Sequence, residues 1–209
     1  MSLKETIKKI WNFLKADTWQ SWLVSLVLMI LFIKLIFFPS LSLLTGTSLP
    51  LLVVESCSMY HAQSFNNWWA SHGAWYENQG INKTNFEMYS LKNGLNKGDI
   101  VLVTKAINPK SGQVIIYYPN DDATAPHPII HRIVTENPIG TKGDNNPAQL
   151  TRTNNIMKVD ETAIPQERII GKATIKIPYL GWIKLIFFDI AKRINPSMYS
   201  SEVGLCKPN

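Results

Sequence analysis

Three short stretches of this chain carry side chains able to make and break bonds. The first is Glu55-Ser56-Cys57-Ser58-Met59, directly after the apolar run Leu51–Val54. A serine at a strand end, entering a turn, can expose its Oγ while its backbone N–H faces the same space. A nucleophile with its own oxyanion donor needs that arrangement. Serine pairs also occupy turns without any chemistry. The second stretch is Ile129–Val134 (IIHRIV), with His131 inside it. A serine hydroxyl is a poor nucleophile near neutral pH and needs a base within hydrogen-bond reach; imidazole titrates in the right range. A ring on a strand is placed more rigidly than one on a loop. The competing reading is a structural histidine bonded to backbone. Of the other histidines, His127 precedes Pro128 and reads as a loop residue, His61 lies three residues beyond Ser58, and His72 falls in an aromatic segment. The third stretch is Thr141–Pro147 (TKGDNNP). Its Gly and paired Asn permit a tight turn. Asp144 follows His131 by 13 residues, a hairpin's distance, so its carboxylate could accept from the second ring nitrogen and fix the tautomer. A turn-capping aspartate is the alternative.

The elements that must position these groups are β-strands. Short runs of strand length recur at Leu51–Val54, Ile100–Thr104, Val114–Tyr118, Ile129–Val134 and Ile169–Ile177, most of them bounded by Gly, Pro, Asn or Asp. No long amphipathic helices separate them, which disfavours a parallel sheet. The expected fold is mainly β: a small domain of packed antiparallel sheets. Residues 62–97 depart from that texture. Phe65, Trp68, Trp69, Trp75 and Tyr76 fall near one face of a helix, with Ser64 as its N-cap and Gly80 as its stop. This insert is either a satellite helix burying aromatics on the sheet or an interfacial helix against a bilayer. Asn82-Lys83-Thr84 within it is an N-glycosylation sequon. The apolar stretch Ile177–Ile190, broken by Lys184, is short for a membrane span and reads as a last strand or turn that packs or dips at an interface.

The N-terminal third has a different character. Trp22–Phe38 holds 17 residues with one charge, Lys34, and the uncharged run extends back through Trp19. At about 1.5 Å per residue it spans roughly 25 Å, close to the hydrocarbon core of a bilayer. Residues 1–21 hold four Lys, whereas residues 39–58 hold no Lys or Arg. The positive-inside rule then places the N-terminus in the cytoplasm and the rest of the chain outside the cell membrane. The expected organisation is a cytoplasmic amphipathic leader (1–18), an uncleaved transmembrane anchor (19–39), an extracytoplasmic β-rich domain (40–190) and a tail (191–209). In the leader, Ile7, Ile10, Trp11 and Leu14 share one face and the lysines the other, as in a helix lying on an anionic membrane surface. The net charge of +6 is scattered rather than clustered, which argues against a nucleic-acid groove. Two cysteines, Cys57 and Cys206, are too few for a disulfide scaffold or a Cys-based zinc site.

The motifs VVESCSM, NKGDIVLV, GQVIIYYP, IIHRIV, TKGDNNP and GKATIKIPYLG, in this order behind an N-terminal anchor, resemble type I signal peptidase over about residues 45–183. A histidine stands where the usual bacterial enzymes carry a lysine base, so the resemblance is to the archaeal and endoplasmic-reticulum branch. It implies a β-rich fold and a serine endopeptidase that removes signal peptides from exported precursors. Ser58 would be the nucleophile, His131 the general base and Asp144 its orienting acid. Ser56 would assist the backbone N–H of Ser58 in the oxyanion hole. The implied partners are signal peptides, the lipid bilayer and the protein translocation channel; no metal or cofactor is implied. This sequence departs from the family pattern twice. His61 stands where a proline is usual, and no second aspartate closely follows the GDN motif. Asp144 is expected to suffice, with Asp160 as the alternative acid. An accessory, catalytically silent precursor-binding domain is the competing function.

Overall fold

The architecture is that of a computed structural model describing residues 2–194 and Cys206. The chain divides into two units, Met1–Leu44 and Thr45–Asn209. The first opens with α1 (Leu3–Leu14), set off by a Ser2–Glu5 capping box. Then α2 (Trp19–Phe32) runs through a π-helical turn at Ile33–Phe37 into α3 (Phe38–Thr45). The π turn has a local cause. Pro39 has no N–H and its ring crowds the carbonyl four residues back, and the preceding Phe38 N–H bonds instead to the Ile33 carbonyl, five residues away. Trp19–Thr45 is the one helix among the described residues that is long and apolar enough to cross a membrane.

The second unit is built on one six-stranded antiparallel sheet ordered β1-β2-β6-β3-β4-β5. Its strands are β1 (Leu51–Val53), β2 (Ile100–Thr104), β3 (Val114–Tyr117), β4 (Ile129–Glu136), β5 (Ile139–Lys142) and β6 (Ile169–Ile177). The insert supplies α4 (Phe65–Asn78) and α5 (Lys83–Glu87), and α6 (Trp182–Ile194) closes the described chain. The protein is therefore mixed α and β rather than mainly β, and a single sheet replaces the expected packed sheets. The stretch Ile177–Ile190 is mostly helix, not a final strand. The expected tail, apart from Cys206 and the end of α6, lies outside the described residues.

Strand β3 is buried on both faces, and its period-2 alternation divides the interior. Val114 and Ile116 join Val54, Met59, Leu95, Val101, Val103, Ile130 and Ala173 on one side. Ile115 and Tyr117 join Ile133 and Ile164 on the other. The insert forms a third cluster in which Trp68, Trp69, Tyr76, Ile81 and Phe86 are buried with Val134 of β4. Most of its aromatic face is thus committed to the interior of this unit, which selects the satellite-helix reading. Ser64 Oγ accepts from the Asn67 N–H at the start of α4. Gly80, at φ +76°, lies just past its end. Asn82 of the sequon is exposed and caps α5 by accepting from the Asn85 N–H.

Candidate active site

Strand β1 delivers the chain into the turn holding Ser56, Cys57 and Ser58. The Val54 N–H donates to the Asp99 carbonyl and the Gly98 N–H to the Val54 carbonyl, which pins the turn's entry to the start of β2. Its exit is held by the Leu95 N–H on the Met59 carbonyl. The Ser56 and Ser58 hydroxyls lie 3.1 Å apart and share a hydrogen bond. A disulfide joins Cys57, between them, to Cys206 across 149 residues of sequence. The two cysteines, too few to make a scaffold, bring Cys206 to the serine turn.

The TKGDNNP segment straps this turn to the β4–β5 hairpin. The Asn145 N–H donates to the Ser58 carbonyl at 2.8 Å, and its Nδ2 donates to the Cys57 carbonyl at 3.2 Å. Gly143 sits at the crossing. A Cβ there would fall 2.7 Å from His131 Nε2 and 2.8 Å from the Ser58 carbonyl oxygen. The absence of a side chain lets the His131 ring and the Ser58 backbone converge on the same point. The ring's Nε2 edge and the Ser58 carbonyl thus lie against the same side of Gly143, while Nδ1 hydrogen-bonds Glu161.

Glu161 is fully buried. Its Oε1 also accepts from Tyr117 Oη at 3.0 Å and Thr141 Oγ1 at 3.3 Å, and its Oε2 accepts from the Leu150 N–H at 2.8 Å. Burial pushes this carboxyl up. The charge and hydrogen bond of His131 and the bonds from Leu150 and Tyr117 outweigh that and hold it below the usual glutamate range. A carboxylate can only accept from Nδ1–H, so in the neutral ring this pairing favours the tautomer with Nε2 open, the one a general base needs.

Asp144 does not occupy that place. Its carboxylate is bonded to Arg132 through Nε at 2.9 Å and Nη2 at 2.7 Å, to His61 Nε2 at 2.9 Å and to Tyr76 Oη at 2.9 Å. The correction follows from strand alternation. His131 and Arg132 are neighbours on β4, so they project to opposite faces of the sheet. His131 lies across from Ile115 and shares a face with Tyr117; Arg132 lies across from Val114 and Lys142. Asp144 meets the arginine, and the acid reaching the histidine comes from the segment before β6. Asp160, the alternative acid, is also displaced: it accepts from Thr162 and pairs with Arg152. Its neighbour Glu161 does what was expected of Asp144.

His61, standing where the resemblance expects proline, belongs to the Asp144 cluster. Its ring stacks on Trp68 with centroids 3.7 Å apart. Burial pulls it below the usual histidine range more strongly than the Asp144 hydrogen bond raises it. The ring is thus neutral near pH 7, with Nε2–H donated to Asp144 and no partner for Nδ1 among the described residues. Lys142 donates to the Gly143 and Asp144 carbonyls, with Nζ 4.8 Å from the Tyr76 ring centroid. Burial lowers it to about 8.

His72 bonds Ser71 and the Trp68 carbonyl and stacks on the Trp68 ring, and His127 lies in an exposed bend. No group of metal-ligating side chains is present among the described residues. A cleft of about 420 Å³ elsewhere on this unit, lined by Thr47, Lys105, Tyr118, Glu167 and Ile170 among others, includes none of Ser58, His131 or Glu161. No family model and no curated protein matches this chain.

Proposed function

We propose that this protein is a membrane-anchored serine endopeptidase of the type I signal peptidase kind, with Ser58, His131 and Glu161 as its catalytic set. The observation carrying this reading is the convergence at Gly143. The open edge of a histidine whose other nitrogen holds a buried carboxylate meets the backbone of a serine at a strand end. The sequence resemblance supplies the substrate class: signal peptides of exported precursors, with small side chains before the scissile bond. The apolar helix Trp19–Thr45 supports a single span. The lysine bias of its flanks supports a cytoplasmic N-terminus and an extracytoplasmic catalytic unit at the cell membrane.

In the reaction, His131 Nε2 takes the Ser58 hydroxyl proton as Oγ attacks the scissile carbonyl carbon. The backbone N–H of Ser58 and the Ser56 hydroxyl receive the developing oxyanion. His131 then returns the proton to the leaving amine as the carbon–nitrogen bond breaks, and an ester to Ser58 remains. A water, deprotonated by His131, attacks that ester. The new carboxyl product leaves and Ser58 regains its proton. Glu161 stays ionised throughout and stabilises the imidazolium.

The deciding experiment uses the full chain in detergent micelles with a fluorophosphonate probe, followed by precursor cleavage in proteoliposomes. The wild type is expected to carry the probe on Ser58 and to process the precursor, and Ser58→Ala to do neither. Cleavage retained by Ser58→Ala would overturn the assignment. A wild type inert in both assays would favour the silent precursor-binding domain.

A second expectation concerns Gly143. An alanine there must displace the His131 ring, the Asn146 amide or the Ser58 backbone, because its Cβ approaches all three within 2.8 Å. A misplacement of about 1 Å between nucleophile and base costs on the order of a hundredfold in rate. Gly143→Ala should show that loss in kcat while unfolding close to the wild-type temperature; unaltered kcat would mean Nε2 is not the working base.

A further inference from the structure

Helix α1 leaves its apolar side chains uncovered: Leu3, Ile7, Ile10, Trp11 and Phe13 are all exposed, and the helix buries no residue. At about 100° per residue these residues, with Leu14, occupy an arc of roughly 160° in which Thr6 is the one polar residue. That is wider than the seam one partner helix covers in a coiled coil. Lys4, Lys8 and Lys15 line one border of the arc beside Trp11, and Lys9 stands on the other side near Phe13. Basic residues flanking a broad apolar arc fit a helix lying half-sunk in a membrane surface, with lysine stems running along the apolar layer and ammonium groups at the phosphates.

The junction after α1 is built rather than loose. Thr18 is extended, at φ −126° and ψ 149°, which ends one helix direction and begins another. Its Oγ1 accepts from the Ser21 N–H, so the same residue caps α2. Ser21 is buried, and its hydroxyl donates to the Leu14 carbonyl at 3.0 Å, satisfying an acceptor that the end of α1 leaves without an intrahelical donor. Trp22 Nε1 donates to Asp17 across the same corner. The corner sits at Trp19 and Trp22, the level at which an interfacial aromatic belt lies if α2 spans a bilayer.

We infer that α1 is a second membrane contact of this chain, an in-plane arm on an anionic phospholipid surface, joined through the Lys15–Ser21 corner to the span. The inference rests on reading Trp19–Thr45 as that span. The occupant follows from two features: the arm is continuous with the bilayer-crossing helix, and its cations match anionic headgroups.

The test is spin-label depth measurement on the full chain in lipid nanodiscs. Single cysteines are introduced at Ile7, Ile10, Lys8, Asn12 or Leu28, with the Cys57–Cys206 disulfide kept oxidised. In discs containing phosphatidylglycerol, labels at Ile7→Cys and Ile10→Cys should collide severalfold more with oxygen than with a water-soluble nickel chelate, and labels at Lys8→Cys and Asn12→Cys the reverse. In discs of phosphatidylcholine alone at high salt, the oxygen preference at the first two sites should fall severalfold. A lipid-buried label at Leu28→Cys with water-exposed labels at Ile7→Cys and Ile10→Cys overturns the arm and leaves the span standing. A water-exposed Leu28→Cys label overturns both. Shielding of Ile7→Cys that is unchanged in phosphatidylcholine and in detergent would indicate a protein partner or a second copy, and overturns the lipid assignment.

Discussion

Glu161→Gln is expected to slow precursor cleavage by about three to four orders of magnitude, the scale of losing the acid in serine triads, with KM little changed. The geometry dictates how. Oε2 accepts from the Leu150 N–H, so the amide oxygen of a glutamine must take that place. Its NH2 then occupies the Oε1 position, facing His131 Nδ1, Tyr117 Oη and Thr141 Oγ1. An NH2 cannot accept from Nδ1. It can only donate, which forces the ring proton onto Nε2 and removes the lone pair that should take the Ser58 proton. Tyr117 and Thr141 can rotate their hydroxyls to accept, so the core loses little. Steady-state kcat and KM, together with the rate of fluorophosphonate labelling, separate this effect from unfolding. Asp160→Ala is the control: Asp160 bonds the Thr162 and Arg152 side chains and should leave cleavage near wild type. A strong loss in Asp160→Ala together with an active Glu161→Gln would mean the wrong neighbour has been assigned.

Why Glu161 escapes a reading of sequence while Ser58 and His131 do not is a matter of distance and parity. Ser58 and His131 announce themselves locally, one at the end of an apolar run and the other inside one. Asp144 attracts attention because a hairpin's length separates it from His131. The alternation rule carried one step further argues against it: residues 131 and 133 share a face of β4, and the pairing of Ile133 with Thr141 and of Arg132 with Lys142 sends the chain toward Asp144 on the arginine side. Glu161 sits in an irregular segment between Leu150 and β6, where neither period 2 nor period 3.6 applies, and its partners Tyr117 and Thr141 come from two different strands. Nothing local marks it.

The same limit explains the fold. The long β6 follows from its composition, and the strand cores of β2, β3 and β4 from their Val and Ile. Strand β5 (IGTK) has one apolar residue and owes its strand state to pairing with β4. For α6, the apolar run Ile177–Ile190 is ambiguous in type. Gly181, whose N–H donates to the Gly98 carbonyl, ends the extended chain and lets a helix begin. The insert helix was legible because its cap and aromatic spacing are local signals.

Asp144→Ala should damage the fold more than the chemistry. Arg132 is fully buried, donates to the carbonyls of Ser90, Leu91 and Gly112, and lies 4.7 Å from the Phe86 ring centroid. Asp144 is its only carboxylate partner among the described ion pairs. Removing one member of a buried pair leaves an uncompensated charge and costs about 3–5 kcal/mol. It also strands the donors of His61 and Tyr76. For a unit of this size the melting temperature should fall by on the order of 10 °C, read from tryptophan fluorescence of the full chain in detergent; an unshifted melt would refute the structural role. If the alanine variant does not fold, Asp144→Asn, which keeps an acceptor but loses the charge, should fold and melt below the wild type. The pH dependence gives a second signature. Burial raises the Asp144 carboxyl, but Arg132 and the His61 hydrogen bond overcome this and hold it well below the usual range. The folded chain therefore binds fewer protons here than the unfolded chain once pH falls below about 4. The stabilisation is complete above that point and is lost progressively as pH falls toward the folded value. Neutral His61 acts in a separate window: below about pH 6.5 the unfolded ring takes a proton that the buried ring refuses, so stability begins to fall there. The wild type should show both declines. Asp144→Ala should weaken the lower one, of which the depressed Glu161 carboxyl keeps a share, and keep the upper, because burial, the dominant cause at His61, does not depend on the carboxylate.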